Sequence, residues 1–128
     1  MIYIDASVAL AYLLAEARTP PAAFWNARLV SSRLLEFEVW NRIHVRRPDS
    51  AGDGEVRRLL AGIQLIDMTS LTLARALEPF PLAVRTLDAL HLATVDWLRS
   101  NGEEIELASY DNRMLAAARA LGIALASL

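Results

Sequence analysis

The sequence contains no cysteine and no lysine: all 13 basic residues are arginine, set against 15 acidic ones. Without cysteine there is no thiol nucleophile, disulfide framework, cysteine-ligated zinc or iron–sulfur cluster. Without lysine there is no Schiff base, no Walker-type phosphate lysine and no lysine-dependent phosphoaspartate site. Long apolar runs are missing too. The most hydrophobic stretch near the start, Ala6 to Ala15, is about half the ~20 residues that cross a bilayer. No basic segment precedes it and Asp5 sits at its edge, so it reads as a buried helix, not a signal peptide. With neither a targeting signal nor cysteine, the chain is expected in a reducing cytoplasm and off the membrane.

What remains is a chain of 128 residues, 55% hydrophobic and 22% charged, with a formal net charge of −2. That is too apolar and too near neutral for disorder, and its length suits one domain spanning residues 1–128. Ile2-Tyr3-Ile4 reads as a strand running into Asp5, and Ser7 opens a helix to about Ala17. Thr19-Pro20-Pro21 breaks it and starts a second helix to about Arg28. Leu29 to Ser31 is a strand, and Ser32 is the expected N-cap of a long helix to Arg46. Pro48 to Gly54 is loop-like and tips a helical hairpin continued by Glu55–Ala61. Ile63–Asp67 is strand-like and Ser70–Glu78 helical. Thr86–Arg99 is a strong helix closed by Asn101-Gly102. A strand over Ile105–Ala108, a helix over Asp111–Leu121 and the apolar Ile123-Ala124-Leu125 complete the chain. Short apolar strands alternating with helices predict a three-layer α/β/α fold around a mainly parallel sheet.

In such sheets ligands bind outside the carboxyl ends of the strands. Asp5 ends the first strand, and Asp111 follows Ile105–Ala108. Asp88 lies in the first turn of one helix, and Glu38 lies within another. Carboxylates gathered in one cleft repel unless a cation joins them. Hard divalent ions, Mg²⁺ or Mn²⁺, take such oxygen donors and serve phosphate chemistry. An acid in a helix's first turn also complements the helix dipole, which accounts for Asp88 and Asp111 without any function. Asp5, between Ile4 and Ala6, needs a partner if its strand end is buried. Glu36 and Glu38 are two apart and cannot share a helix face, and periodicity leaves open which turns inward.

Four segments together resemble a known family. They are the strand ending in Asp5-Ala6-Ser7, then Ser31-Ser32-Arg33-Leu34-Leu35-Glu36-Phe37-Glu38, then Leu87-Asp88-Ala89-Leu90-His91-Leu92-Ala93, and finally Ser109-Tyr110-Asp111. In order and spacing they are similar to the PIN-domain ribonucleases, and more narrowly to the VapC-type toxins of bacterial toxin–antitoxin pairs. The resemblance implies a metal-dependent endoribonuclease that hydrolyses RNA phosphodiesters and is silenced by a cognate antitoxin. Matched residue by residue, it puts the catalytic, metal-holding acids on Asp5, Glu38, Asp88 and Asp111, and it selects Glu38 over Glu36. Ser7, Ser109 and Arg85 become candidates for touching substrate or supporting the carboxylates.

His91, one turn after Asp88, reads as a packed histidine of the helix, with metal ligation or proton transfer as the functional alternative. Trp25, Trp40 and Trp97 read as core or interface. Setting aside the four acids leaves 11 acidic residues against 13 arginines. Arg42, Arg46, Arg47, Arg57 and Arg58, around the hairpin, are the candidate phosphate contacts. The mean hydropathy of +0.29 is high for a small domain and points to surface covered by a homodimer partner or an antitoxin. Two other readings stand beside the nuclease. A HAD-type phosphatase wants an acid at Ser7 and a later lysine, and a non-catalytic module would use the acidic pocket only to dock a partner's arginine.

Overall fold

The computed structural model describes residues 1–128. The chain runs β1 (Ile2–Ile4), α1 (Ala6–Leu13), a 3₁₀ turn (Ala22–Asn26), β2 (Leu29–Ser32), α2 (Leu34–Arg46), α3 (Asp53–Ala61), β3 (Ile63–Ile66), α4 (Ser70–Leu77), α5 (Thr86–Ser100), β4 (Glu106–Ala108), α6 (Asn112–Ala120) and β5 (Ala124–Leu125). All five strands are parallel, in the order β3-β2-β1-β4-β5.

Alternation of side chains along the strands divides the interior into two cores. Ile4, Leu29, Ile63 and Ala108 pack on one face with Val8, Leu35, Val39 and Val56, which come from α1, α2 and α3. Tyr3, Val30 and Leu107 pack on the other with Leu92, Val95, Met114 and Ala117 from α5 and α6. Helices therefore cover both faces, and the fold is the expected three-layer α/β/α. Helix α4 packs against α5.

The differences from the sequence reading lie at element ends. Helix α1 stops at Leu13, short of Ala17, in a Schellman-type turn. Ala15 takes a left-handed φ of 48°, and Glu16 N–H reaches back to the Ala11 carbonyl at 3.0 Å. The helix expected to reach Arg28 is only the 3₁₀ turn, because Ile2 N–H takes the Arg28 carbonyl at 2.9 Å and draws it into the sheet. Ser32 belongs to β2, yet its Oγ still accepts from the Leu34 amide at 3.1 Å. Helix α3 begins at Asp53, two residues early, and forms the expected hairpin with α2.

Candidate active site

Strands β1 and β4 lie side by side with Ile4 in register with Ala108. The next residues of each, Asp5 and Ser109, therefore leave the carboxyl edge of the sheet together. Here the strand order reverses: β2 and β3 build outward on one side of β1, and β4 and β5 on the other. A crevice at such a switch point is where α/β sheets bind ligands.

Asp5 is buried and caps α1. Its Oδ1 accepts from the amides of Ser7 (3.0 Å) and Val8 (3.4 Å) and from Ser7 Oγ at 2.5 Å. Its Oδ2 accepts from Ser109 Oγ at 2.5 Å. The two hydroxyls in turn accept amides from the loop after β4: Tyr110 N–H donates to Ser7 Oγ and Asp111 N–H to Ser109 Oγ, each at 2.9 Å. Burial pushes the Asp5 carboxyl above the ordinary aspartate value, and the bonds from Ser109 and Ser7 pull it back. Asp5 is thus the cap of α1, and Ser7 acts on Asp5.

Asp88 and Asp111 face each other across Arg85. Arg85 Nε donates to Asp88 Oδ2 at 3.4 Å and its Nη2 to Asp111 Oδ2 at 2.9 Å. Asp111 caps α6 through the Arg113 amide at 2.9 Å. The Asp88 carboxyl is also held above its ordinary value, first by burial; Arg85 opposes this and the neighbouring Asp111 charge adds to it. Glu38 reaches in from α2, its Oε1 2.5 Å from His91 Nε2. Glu36 turns away to pair with Arg33 at 2.9 Å.

All four acids border one cleft of about 430 Å³, together with Ser7, Arg85 and His91. Their convergence is looser than the sequence led one to expect. No group of three or more His, Asp or Glu side chains is arranged to hold a metal ion as it stands. Each carboxylate instead meets a protein donor: Asp5 two serines, Glu38 His91, and Asp88 and Asp111 Arg85. Of the candidate phosphate contacts, two are engaged in the fold. Arg47 donates to the Leu13 carbonyl at 2.9 Å, and the Arg57 guanidinium lies 5.5 Å from the Trp40 ring centre. Arg42, Arg46 and Arg58 are exposed. Trp25, Trp40 and Trp97 pack at the margins of the two cores.

The family model described as PIN domain matches residues 2–125. The chain belongs to the PIN-domain family. Its relatives include Ribonuclease VapC35 of Mycobacterium tuberculosis, 32% identical over 130 residues that cover 97% of this chain and 94% of that protein. Ribonuclease VapC46 of the same organism is 42% identical over 98 residues, covering 74% of this chain and 70% of its own. Among solved structures, a toxin–antitoxin complex from Klebsiella pneumoniae contains a chain with the same fold. It has a TM-score of 0.59 and 16% identity, with 94% of each chain covered. No helix of this PIN domain is long and apolar enough to cross a membrane.

Sequence reasoning missed two features of the cleft. The pairing of Asp5 with Ser109 depends on strand register, which no local pattern reveals. The bond between His91 and Glu38 joins α5 to α2 and leaves only one local signal, the one-turn spacing of Asp88 and His91. The donor chemistry of this PIN-domain cleft, though not its present arrangement, is of the kind divalent cations take. Every candidate donor is a hard carboxylate oxygen, and a guanidinium already balances charge between Asp88 and Asp111.

Proposed function

We propose that this PIN-domain chain is an endoribonuclease toxin that uses Mg²⁺ or Mn²⁺ and is neutralised by a cognate antitoxin. One observation carries the reading: Asp5, Glu38, Asp88 and Asp111, from four separate segments, border a single cleft at the switch point of the sheet. The ribonuclease names of its relatives and their coverage of nearly the whole chain support the same activity.

Asp5 and Asp88 are the residues that would hold the ion directly, with Glu38 and Asp111 completing its surroundings directly or through water. Such an ion activates water and neutralises charge on a phosphodiester. Ser7 and Ser109 fix both oxygens of Asp5, so its orientation is set before any ligand arrives. Arg85 balances the Asp88 and Asp111 charges in the metal-free chain. Displaced from them, its largely exposed guanidinium is available to the phosphate of a bound RNA. Burial makes ionising Asp5 and Asp88 more costly than ionising a free aspartate, and a cation in the cleft would offset that cost.

Two partners belong to this reading. The site between Asp88 and Asp111 accommodates a guanidinium, which supports an antitoxin arginine entering the same cleft. The similarly folded chain from a toxin–antitoxin complex supports an antitoxin as partner. A second copy of the chain is proposed to cover the apolar groove of about 650 Å³ beside α4 and α5, lined by Leu73, Leu77, Phe80, Leu82 and Leu90. Leu77 there is 90% exposed, more than an isolated subunit needs to tolerate.

The test is cleavage of a panel of structured RNAs by the purified chain with Mg²⁺ or Mn²⁺. Chelation is expected to abolish cleavage, and Asp5→Asn and Asp88→Asn each to reduce it by about 100-fold or more. Cleavage that survives both substitutions, or that ignores chelation, overturns the assignment.

A further inference from the structure

A buried chain of hydrogen bonds ends on Glu38. It starts at the amide of Ser32, the last residue of β2, which donates to the Tyr3 hydroxyl at 3.0 Å. The Tyr3 hydroxyl lies 2.7 Å from His91 Nδ1, and His91 Nε2 lies 2.5 Å from Glu38 Oε1. Tyr3 and His91 are both buried, and their rings meet edge to face with centres 5.8 Å apart. A carboxylate only accepts, so Nε2 must carry the proton that faces Glu38. In a neutral imidazole with its proton on Nε2, Nδ1 is an acceptor, so the Tyr3 hydroxyl donates to it while accepting from Ser32. Burial keeps that phenol protonated by pushing its pKa up. The direction of every bond is therefore set from the backbone of the central sheet outward.

We propose that His91 is a positioning residue for Glu38, with Tyr3 fixing the imidazole in turn. The relay rests on the metal-dependent reading given above. It engages Oε1 of Glu38 and leaves Oε2 without a protein donor, as the oxygen offered to a cation. Glu38 needs this help more than the other acids. It stands in the second turn of α2, where a long side chain has several rotamers, whereas Asp5 and Asp111 are short and held as helix caps. A donor bonded to a ligand's outer oxygen orients that ligand, and its loss typically weakens metal binding by about 10–100-fold.

The experiment measures Mn²⁺ affinity of the intact chain without RNA, by the electron paramagnetic resonance signal of free Mn²⁺, beside RNA cleavage across a Mn²⁺ titration. His91→Leu is expected to weaken Mn²⁺ binding about 10-fold or more, with cleavage largely restored at saturating Mn²⁺. His91→Gln, whose amide can still donate to Glu38, is expected to stay within a few-fold of the parent. In a Glu38→Gln background His91→Leu is expected to add nothing. Tyr3→Phe removes a single oxygen and is expected to lower affinity several-fold, which keeps the test available if His91→Leu fails to fold. Parental affinity in folded His91→Leu or in Tyr3→Phe overturns the proposal. So does His91→Gln falling as far as His91→Leu, since a merely packed histidine would behave that way. If the parent chain itself binds no Mn²⁺, the metal-dependent reading fails first and the relay fails with it.

Discussion

Ser109 Oγ donates to Asp5 Oδ2 at 2.5 Å, joining residues 104 positions apart because Ile4 and Ala108 are paired across the centre of the sheet. The bond fixes a buried carboxylate that would otherwise lack a donor on its second oxygen. Ser109→Ala is expected to destabilise the fold by about 1.5–3 kcal/mol, the usual worth of a hydrogen bond to a charged group. Urea unfolding at neutral pH measures it. An unchanged midpoint would show that Asp5 finds another donor.

The carboxyls of Asp5 and Asp88 both lie above their ordinary value in the metal-free chain. The folded state thus binds their protons more tightly than the unfolded state does. Acidification from the raised values down to the ordinary one should therefore favour the metal-free fold, a gain that is complete, with no further change, once both groups are protonated in folded and unfolded chain alike. Metal binding has the opposite sense, because it requires the ionised acids. Mn²⁺ affinity is expected to fall with pH earlier than ordinary carboxylates would dictate. Calorimetric titration across the range from pH 7 to pH 4 follows both trends, and Asp5→Asn should flatten the stability profile.

Arg85 competes with any cation for Asp88 and Asp111. Arg85→Ala is expected to tighten Mn²⁺ binding by a few-fold while lowering cleavage of RNA, because the same guanidinium is proposed to meet the phosphate. Arg85 is largely exposed, so the change in fold stability should stay small. Weaker Mn²⁺ binding in this variant would contradict the competition.

Ala15 ends α1 with a left-handed backbone that glycine adopts without a clash. Ala15→Gly is expected to stabilise the chain by about 0.5 kcal/mol, the relief of strain being partly offset by a freer unfolded chain. Thermal unfolding decides the sign.

The proposed second copy makes its own prediction. Leu77→Glu places a charge in the apolar groove beside α4 and α5 and should leave a folded monomer, whereas the parent is expected to sediment as a dimer. A parent that is monomeric at all concentrations removes this part of the account.

The layers of the fold were legible because short strands led by apolar residues, such as Ile2-Tyr3-Ile4 and Leu29-Val30, alternate with amphipathic helices, a pattern that suits a sheet covered on both faces. Element ends were less so. Ala15 and Arg28 are placed by a turn and by a ladder bond, and neither leaves a trace in local composition. Asp5 and Asp111 were legible as acids at strand ends, and Glu38 was separable from Glu36 only through a family resemblance. What stayed hidden depends on long-range contact: the relay from Tyr3 through His91, and the reach of Arg85 to two carboxylates 23 positions apart in sequence. A helical pattern places His91 one turn beyond Asp88 but says nothing of what α2 brings to meet it.

The most direct measurement is anomalous diffraction from crystals of the chain grown with Mn²⁺. The account predicts one or more strong peaks in the cleft bordered by Asp5, Glu38, Asp88 and Asp111, with Arg85 swung away from Asp88 and Asp111. A cleft without Mn²⁺ at millimolar concentration, with Arg85 still clasping both aspartates, would contradict it.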